Sequence, residues 1–379
     1  MKIVIAIDSF KESLSSIEAG KAASEGIKRV FPNSEIIIKP VADGGEGTVN
    51  ALTIGLNGHF KEISVSDPLG RRIKAKYGIL PDKTAIIEMA TASGLTLLNP
   101  NERNPMFTTT YGTGELILDA IEYGCRNIII GIGGSATNDG GIGCLQALGF
   151  RFLDKNGNQI EFGANGLSKL HHIDTKMIHP ILNECHFNVA CDVTNPLCGP
   201  KGCSAVFGPQ KGADSEMISE MDKYLLNYAE KTKQLIPESN LDSNGSGAAG
   251  GLGFALRYYL NANLEPGVQL IARVTDIEEE IKKSDIIVTG EGCLDSQTVM
   301  GKAPIGIAKI AKKYNKPVIA FSGAIKIGAK ACNQNGIDAY FSILRQISTL
   351  DEAMNNKNAF INLSDTAEQV FRSIKLFIK

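Results

Sequence analysis

Between Asn127 and Gly143 the chain reads NIIIGIGGSATNDGGIG, three isoleucines followed by a run in which six glycines enclose Ser135, Thr137, Asn138 and Asp139. Glycine admits positive φ and lets backbone approach a ligand closely, so a turn of this composition presents N–H donors. Placed after a buried strand and before a helix, such donors seat a phosphate or a carboxylate. Gly133, Gly134, Ser135 and Asp139 are the candidates in this turn. Asp242 to Gly253 (DSNGSGAAGGLG) repeats the composition and adds Gly247 and Gly250.

Four acids, Asp8, Asp43, Asp192 and Glu291, each stand one step past an expected strand, where open α/β sheets place ligands. Single acids at such positions commonly cap helices or form turns. Four of them beside three glycine-rich loops fit another need: hard oxygen ligands for Mg²⁺ and amides for a polyphosphate. Lys11, three residues past Asp8, can neutralise charge on a phosphate. The chemistry this set suits is phosphoryl transfer from a nucleotide, where catalysis is mostly positioning and charge neutralisation.

Other chemistries fit less well. There is no GxxxxGK[ST] loop. Gly245-x-Gly247-x-x-Gly250 follows a polar stretch that cannot be its strand, and Gly131-x-Gly133-x-x-Ala136 is followed too late by its helix for a dinucleotide site. The five histidines (59, 171, 172, 179, 186) lie in polar stretches away from the glycine loops, which disfavours Ser/His or Cys/His catalysis, and His171-His172 reads as a solvated helix end. Cys198 and Cys203 lack the second pair or histidine that a zinc site requires.

The elements that must position these residues follow from periodicity. Lys2 to Ile7 is a short, β-branched strand, and Ser15 with Glu18 forms a capping box ahead of a helix that stops at Pro32. A strand from Glu35 and a helix after Thr48 complete a βαβα opening, which implies a parallel sheet. From Ile63 the texture becomes hairpins, with a turn at Asp67-Pro68-Leu69-Gly70 and a further hairpin expected over Phe150 to Ile160. A βαβαβ pattern returns from Ile286. The expected architecture is therefore α/β: two α/β domains with parallel sheets, a discontinuous Rossmann-like domain over 1–63 plus 285–379, an inserted domain over 64–284, and an active site in the interdomain cleft.

At 379 residues the chain is long enough for two cores. With 43% hydrophobic and 21% charged residues and a net charge of −2, nothing points to nucleic acid or to an anionic membrane surface. No apolar run approaches the ~18–20 residues that span a bilayer. Eight cysteines scattered singly, in a chain that opens directly on a strand, suggest reduced thiols in the cytoplasm. The composition neither requires nor forbids a homo-oligomer.

Read together, several segments resemble the bacterial class I glycerate kinases: Ile7 to Ser15 (IDSFKESLS), Ala42 to Thr48 (ADGGEGT), Glu102 to Pro105 (ERNP), Thr110 to Glu115 (TYGTGE), Gly133 to Gly141 (GGSATNDGG), Asp192 to Leu197 (DVTNPL), Gly247 to Gly251 (GAAGG) and Thr289 to Gly292 (TGEG). The resemblance runs the full length. It implies a two-domain α/β enzyme unrelated in fold to P-loop kinases, which transfers the γ-phosphoryl group of ATP to D-glycerate with Mg²⁺. The class is generally taken to form 2-phosphoglycerate; phosphorylation at the 3-hydroxyl and, more remotely, an NAD-dependent hydroxy-acid dehydrogenase are the alternatives. Position and chemistry then suggest roles. Asp192 is the candidate general base or orienter, with Lys11 and Asp8 beside it in the catalytic set. Asp43, Gly44, Gly45, Arg103 and Asn195 are candidates for substrate binding, Arg103 as the bidentate partner of the glycerate carboxylate. Gly133, Gly134, Ser135, Asp139, Gly247 and Gly250 are candidates for the nucleotide, and Glu291 for the metal.

Overall fold

The computed structural model describes residues 1–42, 44, 45 and 47–377. Asp43, one of the candidate substrate-binding residues, lies outside the described residues. In chain order the strands are β1 (Lys2–Ile7), β2 (Glu35–Ile38), β3 (His59–Ser66), β4 (Arg72–Ile79), β5 (Ala85–Glu88), β6 (Asn127–Gly131), β7 (Arg151–Leu153), β8 (His172–Asp174), β9 (His186–Ala190), β10 (Asn263–Glu265), β11 (Ile286–Leu294), β12 (Val318–Ile325) and β13 (Ala339–Ser342). The chain forms two compact units. Unit 1 comprises Met1–Asp43, Asn50–Asn57 and Val268–Lys379, and unit 2 comprises Gly44–Val49 and Gly58–Gly267.

Unit 1 is built on a five-stranded sheet in the order β13-β12-β11-β1-β2, all parallel. Alternation along β1 explains its central place. Ile3, Ile5 and Ile7 point to one face and join Ala19, Ala22, Ala23 and Ile27 of helix Ser16–Val30 with Leu363, Ala367 and Phe371 of helix Asn356–Lys375. Val4 and Ala6 point to the other, toward Ile305, Ala308 and Ala311 of helix Ala303–Lys313 and Ile277 and Ile281 of helix Ile277–Lys283. Helix Ser16–Val30 starts where the capping box places it: the Ser15 hydroxyl accepts from the Glu18 amide at 3.3 Å, and the Glu18 carboxylate accepts from the Ser15 amide at 2.8 Å. Because helix Ile277–Lys283 belongs to this core, the contact boundary falls between Gly267 and Val268 and not at 284.

Unit 2 carries a six-stranded sheet in the order β10-β9-β6-β5-β4-β3. β10, β9, β6 and β5 are parallel, and the β3–β4–β5 meander is antiparallel, joined through the expected Asp67–Gly70 turn. The Asp67 carboxylate fixes that turn by accepting from the amides of Leu69 and Arg71. The hairpin expected over Phe150 to Ile160 is present and short: Asp154 accepts from the amides of Asn156 and Asn158 at the turn, the Asp154 amide donates to the Asn158 carbonyl at 2.9 Å and the Ile160 amide to the Phe152 carbonyl at 2.8 Å, around an antiparallel bridge between Leu153 and Gln159. The ladder partner of β7 is β8, so His172 opens a strand where a helix end was expected. All eight cysteines are free thiols, four of them buried.

Candidate active site

In unit 1 the connections from β1 run toward β2, whereas those from β11 run the other way to β12 and β13. The strand order therefore reverses between β1 and β11, and a crevice opens at their carboxyl ends. Asp8 follows β1 directly. Its amide donates to the Gly290 carbonyl at 2.9 Å, and its carboxylate accepts from the Ser9 amide at 2.6 Å. A cavity of about 360 Å³ lies there, lined by Asp8, Lys11, Glu291, Cys293 and Lys302 on its polar side and by Leu344, Leu350 and Met354 on its apolar side. Three of the predicted residues, Asp8, Lys11 and Glu291, are thus brought together.

Glu291 does not stand past its strand. β11 continues to Leu294, pairing Cys293 with Ala324 and Leu294 with Ile325 of β12. Its carboxylate is buried, accepts from the Thr298 hydroxyl at 2.5 Å and pairs with the Lys302 ammonium at 3.6 Å. Burial pushes its pKa up, against the opposing pull of Thr298 and Lys302. With a hydroxyl donor and an ammonium already on it, Glu291 is poorly disposed as a direct metal ligand. Among the described residues no group of three or more His, Cys, Asp or Glu side chains is arranged to hold a metal ion. What remains fits Mg²⁺ carried mainly by a polyphosphate with one or two carboxylates, its usual mode, and Asp8 is the carboxylate that this cavity offers. Lys302, which ends the loop before helix Ala303–Lys313, was not singled out in the sequence, where it reads as one more surface lysine.

In unit 2 three parallel strands end side by side, with Glu88 of β5 level with Gly131 of β6 and Gly131 level with Ala190 of β9. Gly44 has φ +85° and crosses these ends so closely that a Cβ on it would overlap the Ala190 side chain, while a Cβ on Gly131 would meet the Gly44 carbonyl. Gly45 lies beside Gly133. The predicted Gly44, Gly45, Gly133 and Gly134 therefore converge at the carboxyl edge of the sheet. Gly133 and Gly134 are exposed, and no group among the described residues accepts a hydrogen bond from their amides. The turn is held from behind: the Leu95 amide donates to the Gly134 carbonyl and the Ala136 amide to the Ser93 carbonyl, both at 2.9 Å. Asp192, two residues past β9 and exposed, accepts from the Gly267 amide at 2.9 Å. Glu88 was not singled out in the sequence. It is the last residue of β5, buried, and accepts from the Val49 amide at 2.7 Å.

The rest of the glycine loop turns inward, which corrects several of the candidate nucleotide contacts. Asp139 is fully buried and accepts from the Thr110 amide and hydroxyl, both at 2.8 Å, and from the amides of Gly141 and Gly143 at 3.0 and 3.3 Å. Burial raises its pKa, and the surrounding donors oppose that rise. Its carboxylate shapes the loop and is not presented to a ligand. Gly247 and Gly250 are also buried. A Cβ on Gly247 would strike the Pro196 carbonyl, one on Gly250 the Thr137 carbonyl, and the Gly140 amide donates to the Gly250 carbonyl at 2.9 Å. These two glycines let loops pack on each other. Asn195 donates from its side chain to the Lys201 carbonyl at 2.9 Å. Arg103 is half-buried, and its Nε is buried with no hydrogen-bond partner among the described residues.

A sequence profile of the Glycerate kinase family matches residues 3–375. The chain is 48% identical over 377 residues to a protein named Glycerate 2-kinase from Escherichia coli (strain K12), an alignment covering 99% of this chain and 98% of that one. It is likewise 48% identical over 377 residues to one named Glycerate kinase from Bacillus subtilis (strain 168), with the same coverage. Its structure is similar to a crystal structure of a protein described as a glycerate kinase 2 from Salmonella typhimurium LT2, with a TM-score of 0.91 and 46% identity over 99% of this chain and 98% of that one.

Proposed function

The chain belongs to the glycerate kinase family, and from that premise we propose that it transfers the γ-phosphoryl group of ATP to the 2-hydroxyl of D-glycerate, giving 2-phosphoglycerate and ADP. It is an enzyme and an ATP-dependent kinase. The observation that carries the reading is the family match over residues 3–375. The 2-hydroxyl is favoured because the Escherichia coli relative bears the name Glycerate 2-kinase.

The residues divide the work as follows. The exposed amides of Gly133 and Gly134 hold an anionic group of a substrate, and Gly44 and Gly45 close the turn beside them. Arg103 takes the glycerate carboxylate through its guanidinium, whose Nε has no partner among the described residues. Asp192 receives or orients the proton of the reacting hydroxyl, a task a strand-terminal carboxylate performs within hydrogen-bond reach of substrate. In unit 1, Lys11 would neutralise phosphate charge, and Asp8 would be the carboxylate to hold a Mg²⁺ carried by ATP. The ion, when bound, screens the phosphate charge. No helix among the described residues is long and apolar enough to cross a membrane. With eight free thiols, this is consistent with a cytoplasmic enzyme of small-molecule substrates.

Purified protein with ATP, D-glycerate and Mg²⁺ tests the proposal. ADP should appear only when glycerate is present, cease on addition of EDTA and resume with excess Mg²⁺. Phosphorus NMR should identify 2-phosphoglycerate. A 3-phosphoglycerate signal would overturn the regiochemistry, and glycerate-independent or absent ADP release would overturn the activity.

A further inference from the structure

We infer that Lys211 is a positioning residue which forces the Ser135 hydroxyl to act as a donor, so that the turn Gly133–Ser135 offers donors alone to a phosphate or carboxylate of the substrates. The inference rests on the kinase reading for the identity of those substrates, and on the structure for the site itself.

Lys211 is 2% exposed, a rare state for a lysine without an ion pair among the described residues. Its Nζ donates to the Ser135 hydroxyl oxygen at 2.7 Å and to the Thr137 carbonyl at 2.6 Å. An ammonium has three donors and no lone pair, so the Ser135 oxygen can only accept from it. The single Ser135 proton must then go elsewhere, and no other hydrogen bond of that hydroxyl forms among the described residues. Next to it stand the two exposed amides of Gly133 and Gly134, also without acceptors among the described residues. Three neighbouring donors with a buried positive charge behind them favour an anion, because each is oriented before the ligand arrives.

Lys211 is delivered to this place by the short helix Pro209–Lys211, which ends at Gly212. The charged or titratable groups around it are Asp139 of the glycine loop and Cys203 of helix Cys203–Phe207, with Arg103 on the segment packed against Gly212. Burial pulls the ammonium down to about 8, against the opposing influence of Cys203 and Asp139. It is therefore mostly charged at neutral pH. Above pH 8 the neutral amine gains a lone pair, the Ser135 proton can turn back to it, and the anion loses both a donor and a charge.

The test is calorimetric titration of wild type, Lys211→Met and Ser135→Ala with ADP and, separately, with D-glycerate, from pH 7 to pH 9.5, alongside thermal melts. Lys211→Met should stay folded and bind one of the two ligands about 10- to 100-fold more weakly at pH 7, the range expected for losing a charge-assisted hydrogen-bond chain. A loss on ADP identifies the bound group as phosphate, and a loss on D-glycerate identifies it as carboxylate. Wild-type affinity for that ligand should fall through pH 8, whereas Lys211→Met should be nearly flat and Ser135→Ala should keep only the smaller fall that comes from losing the Lys211 charge. In the double variant the two losses should not add. Wild-type affinity for both ligands in Lys211→Met, or an unchanged pH profile in Ser135→Ala, overturns the inference; the second variant decides the matter should the first fail to fold. Because binding is read without turnover, a wild type that binds but produces no 2-phosphoglycerate would refute the activity and leave this assignment standing.

Discussion

At the scale of single residues, Asp192 and Asp139 carry the same side chain in opposite surroundings. Asp192 is exposed beyond β9, and its carboxylate accepts from the Gly267 amide, which holds it in place without burying it. Asp192→Asn should lower kcat by about 10²–10⁴ with unchanged thermal stability, the cost of removing a general base; an unchanged kcat in a folded variant would remove it from that role. Arg103→Lys keeps the charge but cannot offer a planar fork, so KM for D-glycerate should rise about tenfold with a smaller effect on kcat. Asp139 makes the contrasting case. It has the same side chain as Asp192 and stands in the loop richest in glycine, yet four donors inside the unit surround it. Asp139→Asn turns an amino group toward some of those donors. It should cost about 2–3 kcal/mol in urea denaturation, with activity lost through the loop and not through direct contact with ATP.

At the scale of elements, the alternation in β1 and the Ser15–Glu18 box were legible because both are local: a strand buried on two faces and a helix start are written within a few consecutive residues. The same holds for β6 and the turn after it. The sequence does not say which side of a glycine loop faces a partner loop. Gly133 and Gly134 point outward, while Gly247 and Gly250, equal to them in composition, bring two backbones into contact. Gly250 has φ +67° with the Thr137 carbonyl against it, so Gly250→Ala should destabilise the protein by about 2–4 kcal/mol, through backbone strain and overpacking together. A loss below about 1 kcal/mol would mean the two loops can separate freely. Lys211 was invisible for a related reason: 76 residues separate it from Ser135, and only the fold brings them within hydrogen-bond reach. The edge strand β10 and the pairing of β7 with β8 escaped because three-residue strands carry too little periodicity to read.

At the scale of the whole molecule, the family match and the two α/β units agree on what kind of protein this is, and the units differ in what they ask of the chain. Nearly all of unit 2 lies in one continuous stretch from Gly58 to Gly267, whereas the sheet of unit 1 places β1 between β2 and β11, with Ile3 level with Ile286. A chain stopped at Gly267 should therefore keep a protease-resistant fragment beginning near Gly58 while residues 1–43 are digested. Equal protection of both segments would mean that β1 and β2 hold without β11. For a ribosome this order has a cost in time. At about 5–20 residues per second, the first strand made waits roughly a quarter of a minute to a minute for its missing neighbour, with one row of backbone amides and carbonyls open to any other nascent strand. β1 is thus a segment of the newborn chain that a holding chaperone would protect until β11 is made.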